Sequence, residues 1–358
     1  MASLPAPLEK VQTKFRTSTM FRHLALALLG LVVVILVLES TSSFRNAQLA
    51  SMAYLGIAAG GLTVLTGLNG QLSLGHGAFM AIGAYTTALF FQESDSTVPV
   101  VVVLAVSTLV TLVIGAVVGV AAARLHGPYI AGATLALAIA VPGIALYFDG
   151  TLGGEQGLNV RVPDIPVWFA DVMYFITAND LSRSGYIAYV GWIALILTFV
   201  VLANLSRSRV GRQWRAVRDD EVAAEIAGIN LGRARVLAFV VSAACAGLAG
   251  GVMAMAVRIT APSGFTLVLS LTLLTAVVLG GLGSLLGALI GAALLTFLPQ
   301  VATAFGRDMG MSDLRAAELS PFIYGLTMIL VILLAPAGIV GSWRTWRRNR
   351  KEKEPATT

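Results

Sequence analysis

One stretch of this chain decides its fold: Thr66-Gly67-Leu68-Asn69-Gly70-Gln71-Leu72-Ser73-Leu74-Gly75-His76-Gly77-Ala78-Phe79. It lies between two strongly apolar runs, 48–65 and 78–91. Polar, glycine-rich backbone cannot face lipid, because each unpaired N–H or C=O group in the bilayer core costs several kcal/mol. The stretch must therefore be buried in protein or line a watery cavity, and we interpret it as the wall of a path for a transported solute.

Seven residues of this stretch are candidates for the wall of the translocation path: Asn69, Gly70, Gln71, Ser73, Gly75, His76 and Gly77. For His76, a buried hydrogen bond that fixes the loop explains the residue as well as solute contact does. For Ser73, capping of the following helix is the favoured role. The sequence leaves open which of the seven side chains touch solute.

Composition predicts an all-α polytopic integral membrane protein. Hydrophobic residues make up 57% of the 358 residues and charged residues only 12%, whereas soluble domains carry about 25% charged residues. The single cysteine, Cys245, excludes an intrachain disulfide. The net charge of +6 does not indicate nucleic acid as a partner, because its distribution fits a membrane topology.

Candidate spans follow from the need for about 20 apolar residues in a membrane-crossing helix. The ten candidates, within a permease domain over 22–341, are 22–38, 48–66, 78–91, 98–123, 128–148, 186–205, 235–257, 267–280, 284–299 and 321–341. The segments 267–280 and 284–299 are short, since 14 residues reach only about 21 Å across a core of about 30 Å. They form either two short spans or one re-entrant pair, which leaves eight to ten transmembrane helices.

Basic residues set the predicted orientation. With the N-terminus inside, the cytoplasmic segments hold 18 of the 24 lysines and arginines. This bias places both termini in the cytoplasm, with 1–21 as an N-terminal tail and 342–358 as a basic C-terminal tail. It also makes 149–185 an extracytoplasmic loop and 206–234 a cytoplasmic loop. We interpret 22–38 as a retained helix rather than a signal peptide, because no small-x-small cleavage site follows it.

A second glycine-rich break, at Gly280, Gly281 and Gly283, falls in the opposite half of the chain from 66–77. Broken helices in two halves are typical of transporters that bind solute near the bilayer midplane. Plain helix packing is the alternative explanation, since the halves share no evident sequence identity.

The apolar spans carry no Asp, Glu, Lys or Arg in their interiors. Ion-coupled carriers usually need an intramembrane carboxylate or cation, so proton and sodium coupling are unsupported. The chain also has no P-loop, HExxH or GxSxG motif, which leaves ATP binding and an intramembrane enzyme without a basis. If the protein pumps, its energy comes from another subunit.

The loop 206–234 offers a docking site for that subunit. Val222, Ile226 and Ile229 have the spacing of one helix face, and Gly228 is a natural helix stop. A partner's groove can grip such a helix. The alternative is a helix lying on anionic lipid, which four acidic residues between 219 and 225 disfavour.

Several motifs together resemble the membrane permeases of branched-chain amino acid ABC importers. The motifs lie at 70–79, 82–86, 211–230, 238–250, 279–292 and 324–339. Their order and spacing match the family over residues 45–342. The outer loop, with Leu152-Gly153-Gly154-Glu155-Gln156-Gly157-Leu158, resembles the M-type rather than the shorter H-type subunit.

The resemblance implies a plasma-membrane importer built from a second permease subunit, distinct or identical, two ATPase subunits that bind ATP and Mg²⁺, and an extracytoplasmic solute-binding protein. This chain then needs no cofactor and no catalytic residue of its own. Its loop reads Glu221-Val222-Ala223-Ala224 where other importer permeases have a strict Glu-Ala-Ala. The residues expected to couple to the ATPase are Trp214, Arg215, Arg218, Glu221, Ala223, Ala224, Ile226 and Gly228.

The expected substrate is a branched-chain amino acid, with other amino acids, amides, urea and aromatic acids as alternatives within the resemblance. A stand-alone channel for a small neutral solute is the rival reading. It predicts flux without any ATPase, but it leaves the amphipathic loop unexplained.

Overall fold

The computed structural model describes residues 19–93, 98–125, 129–335 and 337–353, which are almost entirely helical. Its helices are α1 Thr19–Glu39, α2 Ser43–Leu62, α3 His76–Phe90, α4 Val100–Ala122, α5 Tyr129–Tyr147, α6 Asp149–Leu152, α7 Val167–Thr177, α8 Arg183–Arg207, α9 Arg209–Asp219, α10 Glu221–Ile226, α11 Leu231–Val257, α12 Leu267–Gly280, α13 Leu285–Asp308, α14 Asp313–Leu334 and α15 Gly338–Lys353. Most of the predicted tail 1–21 lies outside the described residues.

Nine helical segments of the described ranges are long and apolar enough to cross a membrane. This confirms the prediction of an all-α polytopic membrane protein. The helix α3 is not among the nine, because its 15 residues reach only about 22 Å. Which side of the membrane each terminus occupies stays a prediction from the distribution of basic residues.

The helix α11 lies at the centre of the bundle and packs against α2, α3 and α4. Small residues allow these helices to approach closely, as is usual where lipid supplies no hydrophobic driving force between helices. A Cβ atom on Gly83 would lie 2.2 Å from the Gly247 carbonyl oxygen, and one on Gly115 would lie 2.2 Å from the Ala243 Cβ. The outer helices α1, α4 and α5 instead expose apolar side chains over much of their length.

Two predicted segment boundaries are wrong. The segment predicted as 284–299 runs on to Asp308, so that α13 has 24 residues with Pro299 inside it. The last span begins at Asp313 and ends at Leu334, with Pro321 in its interior rather than at its start. Proline is tolerated inside membrane helices because neighbouring groups satisfy the freed backbone, so it marked no boundary here. Segment α13 is therefore long enough to cross the membrane.

The helix α8 connects the two ends of the bundle. At its start, the loop 149–185 is held by a two-stranded antiparallel sheet of β1 Leu158–Asn159 and β2 Ile259–Thr260, with Leu158 opposite Thr260. The Arg161 N–H also donates to the Phe91 carbonyl at 2.8 Å. At the other end of α8, the short helices α9 and α10 occupy the loop 206–234.

The close contact between α3 and α11 generates a prediction for Gly250. A Cβ atom there would lie 1.9 Å from the Met80 carbonyl oxygen, so Gly250→Ala should destabilise the bundle by about 2 kcal/mol through overpacking. The thermal unfolding midpoint in detergent measures this loss.

The matched control is Gly143→Ala on α5, where a Cβ atom would meet nothing within 4 Å. It should leave the unfolding midpoint unchanged. Equal midpoints for the two variants would contradict the packing described here.

Candidate functional site

The helix α2 ends in a π-helical turn, Thr63–Leu68. In that turn the Asn69 N–H donates to the Val64 carbonyl at 3.1 Å and the Gln71 N–H to the Leu65 carbonyl at 3.1 Å. Gly70 follows with a φ of +80°, a conformation that favours glycine. Wide turns of this kind are rare and frequently mark functional sites. Here the π-helical turn ends α2, and the chain after it runs back into the bundle.

The helix α3 begins inside the bundle rather than at its surface. His76, its first residue, contacts Ala58 of α2 and Ser242 of α11. Ser242 lies about 17 Å along α11 from Leu231 at 1.5 Å per residue. The segment from Gln71 to Gly75 therefore passes between the end of the bundle and its middle without regular structure. Its backbone must find partners other than a helix ladder.

His76 is a fixed structural group in this conformation. It is fully buried, and its Nε2 lies 2.9 Å from the Ala58 carbonyl oxygen. A carbonyl only accepts, so Nε2 carries the proton and Nδ1 is the acceptor, with the Ser242 hydroxyl 3.5 Å away. Of the two roles predicted for His76, the geometry favours the buried hydrogen bond that holds the loop.

Side chains from two other helices accept from backbone N–H groups of this segment and of the first turn of α3. The Leu74 N–H donates to the Thr134 hydroxyl of α5 at 3.0 Å, and the Gly77 N–H donates to the Ser270 hydroxyl of α12 at 2.9 Å. The Ser73 hydroxyl accepts a long bond of 3.4 Å from the Gly75 N–H. The capping role predicted for Ser73 is wrong, because the N-cap of α3 is Gly75 and no side chain of the described residues caps the helix. Ser73 bonds instead to the loop backbone before α3.

Gly75 and Gly77 are packing positions. A Cβ atom on Gly75 would lie 2.5 Å from the Thr134 carbonyl oxygen, and one on Gly77 would lie 2.9 Å from the Ser270 hydroxyl. Any larger residue would push α5 or α12 away from the start of α3. The two glycines therefore explain how four helices converge on one unwound segment.

Asn69 and Gln71 differ from the other candidates. Both side chains are buried, yet neither the amide nitrogen nor the carbonyl oxygen of either side chain has a hydrogen-bond partner among the described residues. A buried polar group without a partner costs about 1–3 kcal/mol. Among the predicted wall residues, these two have unused donors and acceptors to offer.

The second glycine break contacts the first. Gly281 and Gly283 have φ values of +118° and +76° and turn the chain between α12 and α13. A Cβ atom on Gly67 would lie 2.3 Å from the Gly283 nitrogen. On the other side, a Cβ atom on Gly280 would lie 1.9 Å from the Gly287 carbonyl oxygen. The two breaks from opposite halves of the chain thus meet backbone to backbone.

The loop 206–234, predicted to carry one amphipathic helix that stops at Gly228, contains two helices, which corrects the sequence interpretation. Asp220 is extended, with φ −160° and ψ 111°, and separates α9 from α10. Its carboxylate accepts from the Ala223 N–H at 3.0 Å, so it caps α10 as Asp often does. Ile229 consequently lies beyond the helix that carries Val222 and Ile226.

The predicted helix stop at Gly228 is present, with φ +81°. The Gly228 N–H donates to the Glu225 carbonyl at 2.9 Å and the Ile229 N–H to the Ala224 carbonyl at 3.0 Å. This pair of bonds is the Schellman arrangement, which closes a helix with a left-handed glycine. It holds the short α10 in shape at the tip of the loop.

Exposure separates the predicted coupling residues into two groups. Val222 and Ile226 are 68% and 83% exposed, and Glu221, Ala223 and Gly228 are also exposed. Trp214 is fully buried, and its indole N–H donates to the Ala234 carbonyl at 2.9 Å. Trp214 cannot touch a partner in this conformation and instead attaches α9 to α11. Ala224 is the buried residue of α10.

Two arginines connect the loop to the bundle. Arg218 of α9 donates to the Gly67 carbonyl at 2.8 Å, at the point where the two glycine breaks meet. Arg235 of α11, only 2% exposed, pairs with Glu221 at 2.7 Å. Charge-assisted bonds of this kind are shorter and stronger than neutral ones. Arg215, by contrast, donates to the Ser206 carbonyl at the start of its own loop.

Sequence reasoning missed Arg235, Ser242, Ser270 and Thr134. Arg235 lies at the head of an apolar helix, where a charge needs a buried partner, and this position is the signal that could have found it. The three hydroxyl residues are single polar positions in apolar helices, and their sequence signal is weak. The site therefore lies at one end of the bundle. It contains the exposed apolar side chains of α10, the hydrogen bonds of Arg218 and Arg235, and the two glycine breaks.

Comparison with known proteins gives a consistent family match. The family described as branched-chain amino acid transport system, permease component, matches residues 46–332. The high-affinity branched-chain amino acid transport system permease protein LivM of Salmonella typhimurium is 31% identical over 88% of this chain and 74% of its own length. BraD of Pseudomonas aeruginosa is 31% identical over 78% of this chain and 89% of its own length.

LivH of Salmonella typhimurium, a permease protein of the same named transport system, is 27% identical over 78% of this chain and 89% of its own length. No solved structure matches the chain.

The bond from Arg218 generates a prediction about local stability. Arg218→Gln removes the charged donor to Gly67, so backbone amides in 63–71 should exchange with deuterium about tenfold faster, since a hydrogen bond to a charged group contributes about 1.5–3 kcal/mol. Hydrogen–deuterium exchange of the reconstituted protein measures this change.

Arg215→Gln is the matched control on the same helix, because it removes a donor to Ser206 only. It should leave exchange in 63–71 unchanged. The contact is refuted if both variants accelerate exchange there equally.

Proposed function

This chain belongs to the family of branched-chain amino acid transport permease components, and on that premise we propose that it forms one half of the translocation path of an ATP-driven importer. It is a multi-pass membrane protein and a permease subunit rather than an energy-converting one. ATP and Mg²⁺ are expected on separate ATPase subunits. The expected location is the inner, or plasma, membrane.

One observation carries the proposal: the bond from Arg218 to the Gly67 carbonyl. It connects an exposed loop directly to the site where both glycine breaks meet, with no intervening flexible segment. A movement imposed on α9 and α10 would therefore act on the ends of α2 and α12 at the same time. An externally powered transporter needs such a connection between its cytoplasmic loop and its transmembrane helices. A passive channel does not need it.

The exposed face of α10 is the proposed contact with the ATPase. Val222 and Ile226 present exposed apolar side chains at the loop tip, whereas Ala224 of the same helix is buried. A short helix presenting an apolar face fits the groove of a partner. The ion pair Glu221–Arg235 then transmits a movement of α10 to α11. Ser242 of α11 lies beside His76 at the start of α3.

For the partner permease, we propose a second, distinct subunit. Relatives from one organism include both a LivM and a LivH permease protein of one named transport system. LivM matches a larger share of this chain than LivH does, 88% against 78%, at 31% against 27% identity, which supports an M-type assignment. A solute-binding protein on the outer side completes the proposed assembly, and the β1–β2 end of the bundle is where it would meet this chain.

The proposed cycle is alternating access. Closure of the ATPase dimer moves α9 and α10, the joint between Gly67 and Gly283 shifts, and α3 and α12 reorient around it. The expected cargo is a branched-chain amino acid, as named for the relatives. The apolar runs predicted as spans carry no charged residue in their interiors, so recognition of the ammonium and carboxylate groups is assigned to the solute-binding protein. In this scheme Asn69 and Gln71 supply the polar contacts along the route.

Replacing the exposed apolar face tests the docking proposal. The double variant Val222→Asp, Ile226→Asp removes no packing within the chain, so its unfolding midpoint should stay within about 0.5 kcal/mol of the parent, as is usual for surface changes. Its association with the ATPase subunits should fall at least tenfold. Co-purification and ATP-dependent leucine uptake into proteoliposomes measure the two effects.

Leu314→Asp is the control, since Leu314 is 72% exposed at the start of α14, away from the loop 206–234. It should preserve ATPase association. Uptake that continues undiminished without any ATPase subunit would instead support the stand-alone channel and refute the importer.

The unpartnered amides generate a second prediction. Asn69→Leu or Gln71→Leu replaces a buried group that lacks a partner with an apolar one of similar size, which should raise stability by about 1–3 kcal/mol. The same change should lower the transport rate several-fold, because polar contacts on the route are lost. Thermal unfolding and uptake are measured on each variant.

Asn46→Leu serves as the contrast, because the Asn46 side chain accepts from the Thr41 hydroxyl at 2.6 Å. It should lower stability. Full transport by the Asn69 and Gln71 variants would remove both residues from the path.

A further inference from the structure

The last helix of the described chain, α15, follows the end of α14 after only a few residues. Its first turn packs on the second glycine break: a Cβ atom on Gly338 would lie 2.4 Å from the Gly281 Cα, and Val340 is buried. The helix therefore starts at the end of the bundle where the breaks meet. From there it continues for 16 residues to Lys353.

The outer part of α15 combines aromatic and basic side chains. Trp343 and Trp346 are 52% and 54% exposed. The Arg347 guanidinium carbon lies 4.9 Å from the Trp343 ring centroid, and that of Arg350 lies 4.6 Å from the Trp346 centroid. Cation–π stacking of this kind occupies the face of the guanidinium and leaves its in-plane N–H donors free.

No anionic partner for these donors lies among the residues that the structure describes. Among the described residues, neither Arg347 nor Arg350 forms an ion pair. The sequence adds Arg344, Arg348, Lys351 and Lys353 to the same helix, against the single acid Glu352. The helix thus carries strong unneutralised positive charge directly after a membrane span.

We propose that α15 binds the headgroups of anionic phospholipids at the cytoplasmic membrane surface. A polybasic segment immediately beside a span is attracted to anionic lipid by about 1 kcal/mol per basic residue. Half-exposed tryptophans beside it suit the membrane–water interface, where an apolar ring and a polar N–H are both satisfied. Guanidinium groups are well matched to phosphate oxygens. An ATPase surface explains the charge but not the two exposed indoles.

Lipid binding by α15 would also affect the joint between the two glycine breaks. Since Gly338 lies against Gly281, and Gly283 lies against Gly67, a helix held by lipid also fixes one side of the joint between the two breaks. The lipid contact stands whether or not the chain is an importer. If it is one, the charge of the membrane surface sets the resting position of that joint.

The test uses the full chain in vesicles of phosphatidylcholine with a minor fraction of phosphatidylglycerol. Lipid composition is the same in every sample, and only the lipid that carries brominated acyl chains differs. Tryptophan quenching by each labelled lipid is compared, and a Trp343→Phe, Trp346→Phe variant supplies the signal of the other three of the five tryptophans. Brominated phosphatidylglycerol should quench Trp343 and Trp346 more strongly per mole than brominated phosphatidylcholine.

High salt should reduce this preference by screening. The double variant Arg347→Gln, Arg350→Gln should reduce it by roughly fivefold per arginine removed. The matched control is Arg45→Gln, Arg161→Gln, which removes two exposed arginines from the predicted outer side and should leave the preference intact.

Equal quenching of Trp343 and Trp346 by the two labelled lipids, after subtraction of the signal of the Trp343→Phe, Trp346→Phe variant, overturns the proposal. Loss of quenching when ATPase subunits are added, together with weaker ATPase association of the Arg347, Arg350 variant, would assign the surface to the ATPase instead. Persistent lipid preference in the presence of the ATPase supports the proposal.

Discussion

The structure depends on one constraint, the need to find a partner for every backbone N–H and C=O group at membrane depth. Between Gln71 and Gly75 the chain has no helix to satisfy it. The Thr134 hydroxyl accepts from the Leu74 amide of this segment, and the Ser270 hydroxyl accepts from the Gly77 amide in the first turn of α3. His76 fixes the start of α3 against α2 and α11. Four helices are thereby drawn to one unwound segment, and the glycines around it permit the approach.

This constraint also explains how much the sequence predicted. Polar, glycine-rich composition at membrane depth was enough to locate both breaks, and apolar runs were enough to find the spans and the all-α class. The polar partners could not be foreseen, because Thr134, Ser242 and Ser270 come from distant parts of the chain and each is a single hydroxyl in an apolar helix. The predicted boundaries at Pro299 and Pro321 are wrong because both prolines lie inside helices, where packing in the membrane overrides their helix-breaking tendency.

The loop 206–234 shows a similar division. Apolar spacing and Gly228 predicted a helix and its end, but Asp220 divides the segment because its side chain caps a new helix rather than continuing the old one. Only the structure distinguishes Trp214, which is buried and supports α9, from Ile226, which is exposed. The bonds from Arg218 and Arg235 depend on contacts between residues far apart in the chain or on different elements, so spacing alone could not reveal them.

The contact between Gly67 and Gly283 has a consequence for how such a protein can evolve. The contact is made between main-chain atoms. A residue larger than glycine at position 67 would therefore force the two backbone segments apart. Lineages that acquire new cargo must therefore vary positions away from this joint. Glycine is therefore expected at both positions even among relatives that carry different cargo.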